Sequence, residues 1–459
     1  MTPDSDPPEN SSADEASDTG EKRKNLGLIL SGRFFPYFVT QFLGAFNDNA
    51  YRFAFVMLAT YRLQDQLQME ERTLVTLASG LFMLPFFIFS AFAGQLADKF
   101  SKRTMIRILK VTESILMSLA TVGFVTGNVW ILLTLLFFMG AQSAFFGPLK
   151  YGILPQLLPK RELLPANAWT QGGTFFAIIL GTVFGSALAA VDAGTLIIST
   201  LVVGAALLGF LASWFLPATP PADPGIEIDF NPIRQTWRVL SLAFSDRFIL
   251  LCMLGISWFW FVGASLLAQF PVLAKEYLFA AEGVATVLLL LISVGVAIGA
   301  FLCSLILRGR PNPKYVPYAT LVMTVCLSDV IWAASIISEP SELFDLAEFV
   351  AMPTGIRIFI GVFCLSLAGG FYTTPLYTLI QALIDQKQRA RFIAASNLMN
   401  SGFMVLSAVM FMVLYALDWS LLQALGLIAA INVAFAGLLF VCSGMAGKRL
   451  DWIEADAGR

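Results

Sequence analysis

Apolar residues run along this chain in blocks of about 20 or more, broken by short polar stretches, and that length is what an α-helix needs to cross a roughly 30 Å hydrocarbon layer. The blocks fall at roughly 34–62, 72–97, 103–126, 129–149, 163–190, 195–216, 247–275, 283–307, 315–337, 354–383, 391–417 and 420–444. The pattern predicts an all-α integral membrane protein of twelve transmembrane helices. Before the first block, the stretch MTPDSDPPENSSADEASDTGEKRKN is acidic, rich in Ser and Pro and poor in large apolar side chains. It cannot bury enough surface to fold and reads as a disordered tail. It also lacks the short apolar core of a cleavable signal peptide, so the first span is expected to target the chain.

Composition agrees with the pattern: 57% of residues are hydrophobic and 13% charged, against about 25% charged in a soluble domain. The positive charges alternate in side. Lys99, Lys102, Arg103, Lys160, Arg161, Arg234, Arg238, Arg308, Arg310, Lys314, Lys387, Arg389 and Arg391 share one side with the basic residues of both tails, whereas Arg62, Arg72, Lys275 and Arg357 fall on the other. The positive-inside rule then places both termini in the cytoplasm, which requires an even number of spans.

The longest break, LPATPPADPGIEIDFNPIRQTWRVLSLAFSDR, follows the sixth span. It gives a tail at 1–25, a six-helix half at 26–216, a linker at 217–246, a second half at 247–446 and a tail at 447–459. The halves look like repeats. Pro148-Leu149 after the fourth span matches Pro375-Leu376 after the tenth, and Asn167 with Gly172 matches Asn397 with Gly402.

Three features carry candidate chemistry. The first is QFLGAFNDNAYRF in the first span, where Gln41, Gly44 or Ala45, Asp48 and Arg52 recur at helical spacing and Asp48 can pair with Arg52 at i, i+4. Charges in hydrocarbon cost about 2.5–3.5 kcal/mol each and mark substrate or ion pathways. The second is Lys150, after Gly147-Pro148, whose counterpart in the other half is Tyr377. A cation that breaks the symmetry suits a substrate with a phosphate head group; the alternative is a structural ion pair between Asp48 and Lys150, which could also serve as a gate. The third is GQLADKFSKRTMIR, in which Gly94 permits close helix approach, Asp98 can face a helix amino end or a basic side chain, and Lys102 and Arg103 anchor the loop.

Other groups read more plainly. Glu113 lies one turn from Lys110, Asp329 has no partner visible in sequence, and Trp258 to Phe261 fill every helical direction and read as packing or an acyl-chain path. The chain has no histidine, and Cys252, Cys303, Cys326, Cys364 and Cys442 are scattered through predicted spans. No metal site, cofactor, catalytic residue or nucleic-acid partner is expected.

The Gly94–Arg103 loop resembles the signature of the major facilitator superfamily, and the equivalent LRGRPNPKYV keeps the positive charge but lacks the acidic residue. More narrowly, QFLGAFNDNAYRF, FFGPLKYGILPQLLP and ANAWTQGGTFFAIILGTVFGSAL resemble the lysophospholipid transporter family, bacterial flippases that return lysophosphatidylethanolamine to the inner leaflet. The resemblance implies the major facilitator fold, alternating access in the inner membrane, a lysophospholipid substrate among membrane lipids, and a monomer working with a separately encoded acyltransferase. It implies head-group or gating roles for Asp48 and Lys150, with Asn47 and Asn49 as neighbours. Family members as the resemblance presents them carry an arginine in the seventh span, where this chain offers only Gln269, next to Phe270-Pro271. Its amide is expected either to face the cavity or to make an interhelical hydrogen bond. The alternative function is a proton-coupled exporter of amphipathic compounds, with Asp48 or Asp329 as the titrating carboxylate.

Overall fold

The computed structural model describes residues 27–61, 71–189, 194–308, 310–340 and 342–445. The predicted tails and Arg62 lie outside them. Among the described residues twelve long helices follow one another: α1 (Phe35–Tyr61), α2 (Glu71–Lys99), α3 (Lys102–Thr126), α4 (Val129–Gly152), α5 (Leu163–Ala189), α6 (Gly194–Trp214), α7 (Arg247–Glu276), α8 (Glu282–Ile306), α9 (Val316–Ser335), α10 (Pro353–Leu383), α11 (Arg389–Ala416) and α12 (Leu421–Met445). Among the described residues, ten helices are long and apolar enough to cross a membrane. Their bounds fall within a few residues of the apolar blocks, because in lipid the backbone must satisfy its own polar groups and the helix persists as far as the hydrocarbon does.

With no hydrophobic force between helices inside lipid, tight packing has to come from backbone approach. Three helix pairs use glycine for it. On α5, an added Cβ at Gly181 or Gly185 would lie 2.4 Å from the Phe46 or Ala50 carbonyl of α1. At Gly140 of α4 it would lie 2.2 Å from the Phe82 carbonyl of α2. Between α8 and α10 the exchange is mutual: Gly299 would meet the Leu367 carbonyl at 1.9 Å and Gly370 the Val296 carbonyl at 2.1 Å.

Hydrogen bonds tie the first six helices to the last six on the side that carries the linker. Asn167 of α5 donates to Thr378 (3.1 Å) and Gln381 (2.7 Å) of α10, and Thr373 of α10 donates to Gln171 of α5 at 2.9 Å. Asn397 of α11 lies against Gly147 of α4. The two asparagines matched between the sequence halves thus occupy corresponding seams, α5 on α10 and α11 on α4. Tyr151 and Tyr377 stack across the same region with ring centroids 4.4 Å apart.

Leucine at Gly299 is expected to destabilise the detergent-solubilised protein by about 1–3 kcal/mol or more, whereas leucine at Gly437, which has open space around it, should be tolerated. Thermal unfolding of the two variants beside the parent checks this.

Candidate functional site

The polar residues of α1 divide between two faces. Asn47 is fully buried and turns to α3, donating to Glu113 Oε1 at 3.1 Å. Glu113 Oε2 accepts from Lys110 Nζ at 2.7 Å and from Gln142 of α4 at 3.2 Å. Lys110 and Glu113 are 1% and 0% exposed, and a Cβ on Gly44 would fall 2.8 Å from the Lys110 amine. Gly44 therefore makes room for a buried ion pair, and Asn47 belongs to that structural knot.

Asp48, the next residue, meets α4 instead, at Ser143, which also lies 3.3 Å from Gln142 Oε1 and so joins it to the edge of that cluster. Its Oδ2 accepts from Ser143 of α4 at 2.6 Å, while Oδ1 has no partner. The expected pairing of Asp48 with Arg52 does not form: the Arg52 guanidinium donates to Asn49 Oδ1 at 3.1 Å and lies over the rings of Phe53 and Phe82. A nearer amide and two aromatic faces hold it on another side of the helix. Asn49 in turn donates to the Ala45 carbonyl at 2.8 Å, which fixes its side chain along α1.

Lys150 is half-buried and does not reach Asp48. Its Nζ donates to Thr174 of α5 at 2.6 Å, and Thr174 donates to Gln41 of α1 at 3.0 Å. Gln41 and Asp48 are two helical turns, about 10 Å, apart on α1. The side-chain amides of Gln41 and Gln171 each leave Nε2 unpartnered. The result is a polar strip across α1, α4 and α5 with a cation at one end and an anion at the other, with the spare Gln41 donor at the cation's end and the spare Gln171 donor beside the α5–α10 seam. Such a strip can hold a group that carries both charges. Its lower boundary is aromatic: Tyr37 donates to the Lys150 carbonyl at 2.8 Å, and Trp260 donates to the Tyr377 hydroxyl at 3.1 Å.

The loop after α2 closes the linker side. Asp98, fully buried, accepts from the backbone amides of Ala390 (3.1 Å) and Arg391 (3.2 Å) at the start of α11, and from Arg391 Nε at 3.1 Å. An anion at a helix amino end meets both unsatisfied N–H groups and the positive end of the macrodipole. Gly94, one turn earlier, lets α11 approach, because its Cβ would fall 2.7 Å from that of Ala394. Lys102 donates to the Ala97 carbonyl at 3.0 Å, and the Arg103 amide donates to Thr219 at 3.0 Å.

Three other sequence readings are settled by contacts between distant helices. Asp329 does have a partner: Arg357 of α10 binds both its oxygens and lies over Trp332. The pair is 28 positions apart in sequence, which is why spacing could not find it. Gln269 accepts from Tyr415 of α11 at 2.7 Å, the interhelical alternative. The aromatic cluster splits by residue. Trp258 is core, stacked on Phe435 and donating to Asn432 at 2.6 Å, whereas Trp260 stacks on Phe175 of α5 at the contact between the halves.

Residues 37–408 match the model of the Major Facilitator Superfamily. The chain belongs to that superfamily. It is 29% identical over 352 residues to the lysophospholipid transporter LplT of Klebsiella pneumoniae subsp. pneumoniae, covering 74% of this chain and 78% of the other. Against the LplT of Salmonella paratyphi B it is 27% identical over 401 residues, 84% and 88% of the two chains. Among solved structures, the E. coli fucose:proton symporter FucP superposes with a TM-score of 0.64 at 15% identity, covering 90% of this chain and 99% of FucP. A bacterial homologue of the iron transporter ferroportin in an outward-facing state gives 0.62 at 14%, covering 88% and 98%. This superfamily member is a multi-pass membrane transporter.

Two outcomes are expected. Glu113→Ala leaves the Lys110 charge buried without compensation and should lower stability by about 3–5 kcal/mol, with Lys110→Met/Glu113→Leu recovering much of it in thermal unfolding. Asp98→Asn weakens the closure, so a cysteine at Thr378, buried at the seam, should react several-fold faster with a membrane-impermeant maleimide.

Proposed function

We propose that this transporter moves lysophospholipids, with lysophosphatidylethanolamine as the representative substrate, across the bacterial inner membrane by alternating access. The observation that carries the reading is the strip between Lys150 and Asp48. Both are half-buried, and neither meets an opposite charge at ion-pair distance among the described residues. Unpaired charges of opposite sign at membrane depth are expensive to keep unless a ligand uses them. A phosphate reaches the Lys150 amine and a head-group ammonium reaches the Asp48 carboxylate, while the single acyl chain stays in lipid or an apolar side opening. The names of the relatives favour the same class of substrate. Without a seventh-span arginine, and with Gln269 engaged by Tyr415, the phosphate falls to Lys150, since Arg52 is turned to Asn49 and to the rings of Phe53 and Phe82.

The reading includes cytoplasmic termini, no enzymatic activity, a monomeric unit, and an acyltransferase encoded elsewhere that consumes the product. The closed linker side is then the cytoplasmic side.

Uptake of labelled lysophosphatidylethanolamine by proteoliposomes tests it. The parent is expected to move the lipid down its gradient with little response to an uncoupler, and Asp48→Asn and Lys150→Ala are each expected to lose at least about tenfold in rate while remaining folded. A parent that moves no lysolipid, or moves it only with a proton gradient, overturns the reading in favour of a proton-coupled exporter.

A further inference from the structure

The linker between the halves is tied down residue by residue. The amides of Ala222 and Asp223 donate to the Asp98 carbonyl at 3.0 and 2.8 Å, Lys99 donates to the Ile226 carbonyl at 2.9 Å, and the Asp229 amide donates to Gln95 at 3.0 Å. The Asp223 carboxylate accepts from Arg391 at 3.4 Å, the same arginine that binds Asp98. The strap thus runs along the end of α2 and touches α11.

It continues into a helix, Pro232–Ala243, that packs against both α2 and α11. Its sides differ sharply. Gln235, Val239 and Ala243 are buried, while Arg234, Trp237, Arg238 and Ser241 are exposed. Phe230 and Phe244, flanking the helix, and Trp237 within it are 78%, 67% and 75% exposed. Exposed aromatic rings interleaved with arginines suit the membrane–water interface, where the rings reach the acyl boundary and the long arginine stems carry their charge out to the head groups. Depth is the second observation. Phe230 contacts Phe92 of α2 with ring centroids 5.7 Å apart, and Phe92 lies seven residues, about 10 Å, inside the span from Lys99. The start of this helix therefore sits beside the bundle at interfacial depth. The Asn231 amide holds the Asp229 carboxyl below the usual carboxylate range, so it stays charged and pairs with Arg234 at 3.7 Å. Arg238 also acts on Asp229 electrostatically, without an ion-pair contact among the described residues, and its guanidinium is exposed.

We propose that the linker helix is an in-plane anchor for the anionic phospholipid surface on the linker side, and that, by bridging α2 and α11, it makes the closed seam tighter when that surface is negatively charged. Trp237, Phe230 and Phe244 enter the acyl boundary, and Arg234 and Arg238 meet lipid phosphates. Binding favours the closed arrangement because the helix has partners on both sides of the seam only when α2 and α11 are together.

The test uses the full chain in vesicles of phosphatidylcholine alone or with phosphatidylglycerol added. An environment-sensitive fluorophore on S241C, corrected for the identically treated parent, should shift to the blue and be quenched by chain-labelled lipid in anionic vesicles, and lose at least about threefold of that quenching in neutral ones or in R234Q/R238Q. In parallel, the alkylation rate of T378C should rise several-fold in neutral lipid. A probe that stays in water in both compositions overturns the proposal. So does one shielded only in native membranes, which would assign the face to a protein partner, or a T378C rate indifferent to lipid charge. None of these readouts depends on the substrate, so they separate this inference from the transport reading.

Discussion

Asp98 facing the amino end of α11 is the contact on which the observed arrangement rests. It joins the two sets of six helices through two backbone amides and one guanidinium, all from a helix that begins on the opposite side of the seam. Buried charge is tolerable only when it is fully hydrogen-bonded, and here the acceptor and the helix end satisfy each other. Separating the halves on this side would expose both at once. The neighbouring contacts, Gly94 on Ala394, the tyrosine stack and the Asn167 cluster, are smaller and fall into place once α2 and α11 are held together.

This division of labour separates two kinds of polar group inside the bundle. Lys110 and Glu113 are neutralised by each other and by the amides of Asn47 and Gln142, which leaves only Asn47 Oδ1 unpartnered in that cluster among the described residues. Asp48, Lys150, Gln41 and Gln171 keep valences or charge unspent. The difference follows from geometry: adjacent residues on a helix point about 100° apart, so Asn47 and Asp48 face different neighbours.

Helix number, approximate bounds and the repeat were legible because each depends on a periodic or local property: block length, loop charge, or a short motif at a fixed place. The Gly94–Asp98 pattern was legible for the same reason, since one helical turn links its two key residues. Pairings between distant helices were not. Arg357 finds Asp329 across 28 positions, and Lys150 finds Thr174 of α5 across 24 rather than Asp48. Arg52 shows a subtler limit. The i, i+4 spacing permitted a pair with Asp48, but the amide of Asn49 at i−3 and two phenyl rings compete for the same guanidinium.

The glycine contacts of α1 with α5 and α8 with α10 have a mechanical consequence. Backbones that touch through Gly181, Gly185, Gly299 and Gly370 leave no side-chain layer to slide or repack. Each such pair behaves as a single stiff beam, so deformation is pushed out to the side-chain seams where the beams meet. Motion between access states then has few degrees of freedom, set by leverage about mid-depth rather than by bending within the helices.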